Sequence, residues 1–264
     1  MGPLIHNTAF EHLGLPFVYV AQDVLPDDLP HAIRGVRALG YRGLSITMPH
    51  KVAALSLVDE VDDMAKVIGC INTVVNDAGR LRGFNTDGLG TLAALARAGI
   101  HPAGRPVLVL GSGGAARAIA ASLALRATPS LLTVLGVVEP EIKVLGEDLR
   151  TRTPARVETG LLSPDSLAKA MSSAEVVLHC SPVGMTPAVD ATLVPKSLFR
   201  PGQAVFDAVY NPRRTRLIQE ASQAGCTTVE GMEMFLGQAM IQFQLWTGKE
   251  APAQIMRDVV EARL

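Results

Sequence analysis

Short apolar runs and amphipathic stretches alternate through the amino-terminal part of the chain. Phe17 to Val20 and Leu44 to Thr47 are predicted strands, because runs of this length bounded by turn residues are typical of buried strands. Leu29 to Leu39 has apolar positions at helical spacing and stops at a glycine, which predicts a helix. Further helices are predicted over Lys51 to Asp59 and Leu89 to Ala98.

A hairpin is predicted between the last two of these helices. Ile71 to Val75 and Arg80 to Phe84 flank Asp77-Ala78-Gly79, whose residue types favour a tight turn. The hairpin would place two antiparallel strands directly ahead of the helix that starts at Leu89.

From Val107 onward the pattern changes to short, wholly apolar runs separated by helical segments. Apolar strands that alternate with helices indicate a parallel sheet covered on both faces. The predicted strands are Val107 to Leu110, Leu131 to Leu135, Val176 to His179 and Ala204 to Ala208. A break at Gly99, Pro102 and Gly104 precedes them, and the last segment, Phe235 to Leu264, is predicted to be helical with interruptions.

Composition excludes several classes of protein. The chain has 264 residues, of which 48% are hydrophobic and 19% charged, so it can bury a core and is not disordered. The formal net charge of −1 argues against nucleic acid or an anionic membrane as the main partner. No apolar run is long enough to span a bilayer, and the amino terminus lacks a signal-peptide pattern. Three widely spaced cysteines beside apolar runs indicate buried thiols and a reducing cytoplasm.

A glycine-rich stretch follows the first apolar strand of the second region. Gly111, Gly113 and Ala116 have the spacing of a dinucleotide fingerprint, between a predicted strand and a predicted helix over Ala115 to Arg126. The first glycine permits a tight turn, the second lets the backbone approach a pyrophosphate, and the small Ala116 allows close packing. N–H groups at the helix N-terminus would then bind phosphate. A purely structural strand–helix turn is the alternative.

The choice between NAD and NADP is open at this point. It is expected to be made near the end of the second strand, at Leu135-Gly136-Val137-Val138-Glu139. No arginine is present there to bind a 2′-phosphate, and Glu139 can accept hydrogen bonds from ribose hydroxyls, which favours NAD. As a solvated loop residue, however, Glu139 would carry no information about the cofactor.

A lysine and an aspartate end two elements ahead of the fingerprint. Lys51 is the last residue of the segment Ser45-Ile46-Thr47-Met48-Pro49-His50-Lys51, and Asp87 is the last residue of Gly83-Phe84-Asn85-Thr86-Asp87. Oxidation of an alcohol by a nicotinamide requires loss of the hydroxyl proton, which a lysine can exchange while a carboxylate orients it. On the residues alone two structural alternatives stand: an exposed lysine in a first helical turn, and an aspartate that caps the next helix.

An ordered series of motifs points to one family. They are Pro3-Leu4-Ile5-His6-Asn7, Thr47-Met48-Pro49-His50-Lys51, Gly69-Cys70-Ile71-Asn72-Thr73, Gly83-Phe84-Asn85-Thr86-Asp87, Cys180-Ser181-Pro182-Val183-Gly184-Met185, Asp207-Ala208-Val209-Tyr210-Asn211-Pro212 and Gly231-Met232-Glu233-Met234-Phe235-Leu236-Gly237-Gln238. With them the chain resembles shikimate dehydrogenases over essentially its whole length. In motif style it is most similar to the plant form that is fused to dehydroquinase.

The resemblance implies an activity and a fold. The activity is the reversible NAD(P)H-dependent reduction of 3-dehydroshikimate to shikimate, a step in chorismate and aromatic amino acid biosynthesis, by a monomer or homodimer. The fold is α/β, with a substrate domain over residues 1–100, a Rossmann NAD(P)-binding domain over 101–236 and C-terminal helices over 237–264 that return to the first domain.

The resemblance also implies roles for individual residues. Lys51 and Asp87 would form the catalytic pair. The residues that would bind the substrate hydroxyls and carboxylate are Thr47, Asn72, Asp87, Tyr210 and Gln238. The residues that would line NADP or NAD are Gly111, Ser112, Gly113, Gly114, Ala115, Ala208 and Gly231.

The chain departs from the family pattern in two places. Members begin with a strand and a Ser-x-Ser-Pro loop whose hydroxyls hold the substrate carboxylate, whereas in this chain Gly2 has the second serine's position. We therefore expect weak binding of shikimate, since each lost neutral hydrogen bond is worth about 0.5 to 1.5 kcal/mol. The family's arginine-containing segment after the second Rossmann strand is replaced around Gly136-Val137-Val138.

These departures leave two alternatives to shikimate dehydrogenase. One is a quinate or quinate/shikimate dehydrogenase with the same fold and catalytic pair. The other, of a different class, is a non-catalytic regulator that binds a nucleotide or shikimate. No metal site is predicted, because His6 and His50 lack partners at ligand spacing and are interpreted as structural.

Overall fold

The structure, a computed structural model, describes residues 1–263 of the chain. Within that part, no helix combines the length and apolar character that crossing a membrane requires. The chain divides into two compact units, one formed by Met1–Thr86 and the segment from Leu236 onward, the other by Asp87–Phe235. The domain limits drawn from the sequence stay a prediction, and the Leu264 end of the predicted helical segment lies outside the described residues.

Helices and strands follow one another along both units. In chain order they are α1 (Gly2–His12), α2 (Leu29–Ala38), β1 (Gly43–Ser45), β2 (Glu60–Val61), α3 (Asp63–Ile68), β3 (Thr73–Asp77), β4 (Arg80–Phe84), α4 (Asp87–Arg97), β5 (Pro106–Leu110), α5 (Gly114–Ser122), β6 (Leu131–Gly136), α6 (Glu139–Arg152), β7 (Val157–Leu161), α7 (Pro164–Ser173), β8 (Val176–His179), β9 (Ala204–Asp207), α8 (Arg216–Gln223), β10 (Thr227–Val229), α9 (Gly231–Thr247) and α10 (Ala253–Glu261).

The first unit contains a four-stranded mixed sheet in the order β1-β3-β4-β2. The predicted hairpin is confirmed: β3 and β4 pair antiparallel, and Ala78 and Gly79 turn between them with φ of 51° and 93°. The predicted helix α2 is also confirmed, and its stripe Leu29, Ile33 and Val36 packs into a core with Val74 and other apolar residues of the sheet.

Two elements predicted for the first unit differ from those observed. Phe17 to Val20 is not a strand, because Tyr19 exchanges both backbone hydrogen bonds with the side chain of Asn7 (2.6 and 2.9 Å) instead of with another strand. The helix predicted over Lys51 to Asp59 is only a 3-10 turn over Ala53–Leu57. It ends early because the N–H of Asp59 donates to the carbonyl of Leu81 (2.9 Å), at the edge of the sheet.

The second unit is built on a parallel six-stranded sheet in the order β10-β9-β8-β5-β6-β7. Numbered from β5, this is the strand order of the Rossmann fold, as predicted. The four apolar strands predicted from the sequence are present and largely buried, whereas β7 and β10 were not predicted. The strand order reverses between β5 and β8, and in such sheets ligands bind beyond the carboxyl ends of the strands at that point.

Candidate functional site

The glycine-rich loop makes its turn between β5 and α5. Gly111 has φ of 130°, a conformation that favours glycine, and a Cβ there would lie 2.7 Å from the carbonyl oxygen of Cys180. Its N–H donates to the carbonyl of Leu135 at the end of β6 (2.7 Å). The turn is therefore fixed against the carboxyl ends of both neighbouring strands, and only glycine fits at this position.

Beyond this turn the loop presents bare backbone. A Cβ at Gly113 or Gly114 would meet no heavy atom within 4 Å outside the local chain. Gly113 is the N-cap of α5 and has no side-chain capping hydrogen bond. The first N–H groups of a helix lack intrahelical partners and lie at the positive end of its dipole, where an anion binds well. These residues, with Ala115 in the first turn of α5, fit the pyrophosphate of a dinucleotide.

Two further residues predicted to line the cofactor lie together at the same edge of the sheet. A Cβ at Gly231 would be 2.7 Å from the carbonyl oxygen of Ala208 and 2.6 Å from that of Val209. The N–H of Ala208 donates to the carbonyl of His179 at the end of β8 (2.8 Å). Gly231 is therefore needed for close approach of α9 to the chain that leaves β9. Tyr210, a predicted substrate ligand, follows this contact and is 41% exposed.

A buried polar network, which the sequence did not predict, joins the ends of β8 and β9. The Nδ1–H of His179 donates to Asp207 (2.8 Å), and its Nε2 lies 2.6 Å from the hydroxyl of Ser181. Asp207 also accepts from the Thr215 hydroxyl (2.5 Å) and from the N–H of Val209 (2.9 Å). His179 and Asp207 are almost fully buried, so the network fixes the chain that leaves both strands.

In the first unit, Asn72 is the centre of a buried cluster of neutral polar groups. Its Oδ1 accepts from the N–H of Thr86 (2.9 Å) and from the hydroxyl of Thr73 (2.8 Å), and its Nδ2 donates to the Thr86 hydroxyl (3.0 Å). Asn72, Thr73 and Thr86 are all buried. The cluster therefore fixes the backbone of Thr86, the residue that directly precedes Asp87 in the chain.

Helix α9 adds a second amide to the Asn72 cluster. Gln242 is buried and its Nε2 donates to the hydroxyls of Ser45 (3.1 Å) and Thr73 (2.9 Å). Gln238, the predicted substrate ligand, lies four residues earlier and is half-buried. Residues four apart share one helix face, so the predicted Gln238 lies on the face that carries Gln242.

The predicted catalytic residues occupy different kinds of position. Lys51 is half-buried in the turn after β1, and its carbonyl accepts from the N–H of Ile71 (3.0 Å). Thr47 begins the same turn, is exposed, and accepts from the N–H of His50 (3.0 Å). Asp87 is the first residue of α4 and only 6% exposed, where the helix dipole favours its negative charge.

Sequence reasoning missed three residues of these networks: His179, Asp207 and Gln242. The first two each close a wholly apolar strand and stand opposite each other in register, which is the signal that was available. Gln242 is a polar residue inside an apolar helix, one turn after Gln238. A buried polar group of this kind needs a hydrogen-bond partner, and that requirement could have identified it.

The surroundings of the three cysteines and of His50 suit structural roles. All three cysteines are buried, as predicted, and they form no disulfide. Burial, reinforced by the nearby Asp207, raises the pKa of the Cys180 thiol, which keeps it protonated and unreactive. The Nε2 of His50 lies 2.8 Å from the carbonyl oxygen of Val24. Within residues 1–263, no group of three or more His, Cys, Asp or Glu side chains is arranged to hold a metal ion.

Two family models match the chain. Residues 1–74 match the shikimate dehydrogenase substrate binding domain, and residues 231–261 match the shikimate 5′-dehydrogenase C-terminal domain.

Known relatives match over almost the full length. A shikimate dehydrogenase (NADP(+)) of Moorella thermoacetica is 42% identical over 260 residues, which cover 98% of this chain and 88% of the relative. A quinate/shikimate dehydrogenase of Escherichia coli O139:H28 is 40% identical over 264 residues, 98% of this chain and 92% of the relative. A crystal structure of shikimate 5-dehydrogenase from Listeria monocytogenes with shikimate and NAD superimposes with a TM-score of 0.94 at 32% identity, covering 98% of this chain and 91% of that one.

Proposed function

Because this chain belongs to the shikimate dehydrogenase family, we propose that it catalyses the reversible NAD(P)H-dependent reduction of 3-dehydroshikimate to shikimate. The observation that carries the proposal is the glycine-rich loop, in which Gly113 and Gly114 present bare backbone at the uncapped start of α5. Such a loop suits a dinucleotide pyrophosphate, and relatives of this family use nicotinamide dinucleotides. The bound nicotinamide supplies the hydride chemistry.

Lys51 and Asp87 are proposed as the catalytic pair. Oxidation of the ring alcohol requires that its hydroxyl proton leave, and the Lys51 amine is proposed to hold and move that proton. The Asp87 carboxylate is proposed to orient the lysine and to bind a substrate hydroxyl. The burial of Asp87 at the start of α4 supports this role, because a positioned carboxylate needs a rigid support.

The other proposed contacts are hydrogen bonds and backbone approaches. Hydroxyl and amide side chains suit a substrate with several ring hydroxyls and a carboxylate, and the neutral cluster around Asn72 supports such binding. The residues proposed for this role are Thr47, Asn72, Tyr210 and Gln238. The residues proposed to line the dinucleotide are Gly111, Ser112, Gly113, Gly114, Ala115, Ala208 and Gly231.

Initial rates with shikimate, followed by the absorbance of the reduced nicotinamide, test the proposal. Lys51→Ala is expected to lower kcat about 100- to 10,000-fold, the range typical of a lost general acid–base group. Lys66→Ala is the matched control, because Lys66 lies on the surface of the same unit and pairs with Asp63 (2.8 Å). A folded wild-type protein without turnover, or a fully active Lys51→Ala variant, would contradict the proposal.

Quinate is the second substrate to be tested. Gly2 offers no hydroxyl to a substrate carboxylate, and a Cβ there would lie 3.2 Å from the Tyr19 hydroxyl oxygen. A relative that is 40% identical carries the name quinate/shikimate dehydrogenase. A higher kcat/KM for quinate than for shikimate would favour this second function.

The cysteines bear on the setting of the protein in the cell. Three buried cysteines that form no disulfide suit a reducing cytoplasm, where thiols persist. We propose a cytoplasmic monomer or homodimer, and sedimentation of the purified protein distinguishes these two states.

A further inference from the structure

The segment that follows β6 is the place where this fold selects the adenosine end of its cofactor. A carboxylate there binds the free ribose hydroxyls of NAD, whereas an arginine accommodates the 2′-phosphate of NADP. In this chain the segment is Gly136-Val137-Val138-Glu139-Pro140-Glu141, which contains no lysine or arginine.

One of the two glutamates is held against the glycine-rich loop. The hydroxyl of Ser112, the residue between the two fingerprint glycines, donates to Oε2 of Glu141 (2.7 Å). Ser112 is buried, while Glu141 is exposed in the first turn of α6. A hydrogen bond to a carboxylate is stronger than one between neutral groups, so it holds this charge in place. The structure thus singles out Glu141 rather than Glu139, the candidate from the sequence.

The loop and the end of β6 are in close contact. A Cβ at Gly136 would lie 3.0 Å from the Cβ of Ser112 and 2.8 Å from the side chain of Ile142. Beside this contact, Val137 and Val138 are 73% and 42% exposed. The exposed residues beyond β6 are therefore two valines, a proline and two glutamates, whereas a 2′-phosphate would need a cation there.

The arginines Arg117 of α5 and Arg150 of α6 interact with other side chains. Arg117, in the second turn of α5, pairs with Asp148 at 2.7 Å, and both side chains are less than one-fifth exposed. Arg150 donates to the hydroxyl of Thr159. Lys143 is two residues after Glu141, and residues two apart do not share a helix face.

We propose that this chain selects NAD over NADP and that Glu141, held by Ser112, sets the preference. The inference rests on the proposed function and deepens it, and it differs from the NADP named for the Moorella thermoacetica relative. An ionised carboxylate accepts hydrogen bonds from ribose hydroxyls but repels a 2′-phosphate, which carries nearly two negative charges at neutral pH.

Calorimetric titration of the full chain with NAD⁺ and with NADP⁺ tests the preference independently of turnover. NAD⁺ is expected to bind at least about tenfold more tightly, the value of one hydrogen bond to a charged group. This gap between the affinities for NAD⁺ and NADP⁺ should narrow as salt is added, because salt screens the repulsion between exposed charges. Glu141→Gln should reduce the gap to about threefold or less, since the amide removes the charge. Glu147→Gln, an exposed glutamate later in α6, should leave it unchanged.

Ser112→Ala is the second variant, and it keeps the Glu141 charge while removing its hydrogen bond. It should weaken NAD⁺ binding about threefold or more, as loss of a positioning hydrogen bond does. NADP⁺ binding as tightly as NAD⁺ to the wild-type protein would overturn the inference and leave the proposed function intact. An unchanged gap in a folded Glu141→Gln variant would overturn the role of Glu141. Binding of neither dinucleotide would overturn both the inference and the proposed function.

Discussion

The two units each bury a histidine almost completely, yet they surround it in opposite ways. His6, in α1 of the first unit, stacks on Tyr19 (ring centroids 5.0 Å apart) and meets the edge of Trp246 (5.1 Å). Its Nδ1 has no hydrogen-bond partner within the described residues. His179, in the second unit, has a partner for each ring nitrogen, Asp207 and Ser181.

This difference shows that burial alone does not determine what a histidine contributes. Burial in an apolar setting penalises the charged ring, and it lowers the pKa of His6 to about 4 although Gln242 acts in the opposite direction. His6 therefore stabilises the fold as a neutral aromatic group. His179 instead connects two strand ends, so its contribution depends on the partners that it holds.

The largest effect is expected when the carboxylate partner of His179 is removed. Asp207→Ala leaves His179 Nδ1, the Thr215 hydroxyl and the Val209 N–H buried without an acceptor. The expected loss of unfolding free energy is about 3 to 5 kcal/mol, as for other broken buried pairs. Urea unfolding followed by circular dichroism measures it.

The control for this variant is Asp165→Ala, which removes an exposed carboxylate from the first turn of α7. A carboxylate at that position contributes only about 0.3 to 1 kcal/mol through the helix dipole. If Asp207→Ala cost no more than this control, the network around His179 would have no structural importance.

A fall in pH is expected to destabilise the first unit through protonation of His6. The folded pKa of about 4 lies below the unfolded value of 6.5, so the unfolded chain binds more protons between these values. The contribution of His6 is complete above pH 6.5 and is lost as the pH falls towards 4. The full loss is about 3 kcal/mol, from 1.36 kcal/mol per pKa unit. Trp246, the single tryptophan, contacts the ring and reports unfolding by its fluorescence.

His6→Phe keeps an aromatic ring in this position and removes the titrating group. Between pH 4 and pH 6.5 its unfolding free energy should therefore rise less steeply with pH, by the part that His6 contributes. An identical slope in both proteins would show that other groups cause the acid sensitivity.

The same two histidines show how far the sequence predicts this structure. The parallel strands of the second unit were predictable, because each is a wholly apolar run between helices. That polar residues close β8 and β9 is also visible in the sequence. The pairing of these residues is not visible in the sequence, because His179 and Asp207 are 28 residues apart and meet only through the register of two strands.

The prediction of the candidate site was limited in the same way, because the sequence does not show which polar side chains form hydrogen bonds with each other. Asn72 and Gln238 were identified by resemblance, because each alone is an ordinary polar residue. The contact of Gln242 with Thr73 spans 169 residues of sequence and depends on the packing of α9. Three strands were missed: β2, which has only two residues, and β7 and β10, whose partial exposure weakens their apolar pattern.

The smallest effect is expected at the outer end of the His179 network. The Ser181 hydroxyl lies 2.6 Å from His179 Nε2, but Ser181 is only half-buried. Ser181→Ala should cost about 1 kcal/mol, the net value of one hydrogen bond, because water can partly replace the hydroxyl. Ser173→Ala, which removes an exposed hydroxyl bonded within its own helix, is the matched control.

Combining Ser181→Ala with Asp207→Ala determines whether the network acts as a unit. Both side chains bind one imidazole ring, and residues with a shared partner do not contribute additively. We expect the cost of Ser181→Ala to shrink in the Asp207→Ala background, because a ring without its carboxylate is no longer held towards Ser181. Urea titrations of the four proteins give the coupling energy. Additive losses would mean that His179 binds each partner independently, and that the contrast with His6 reflects two separate hydrogen bonds.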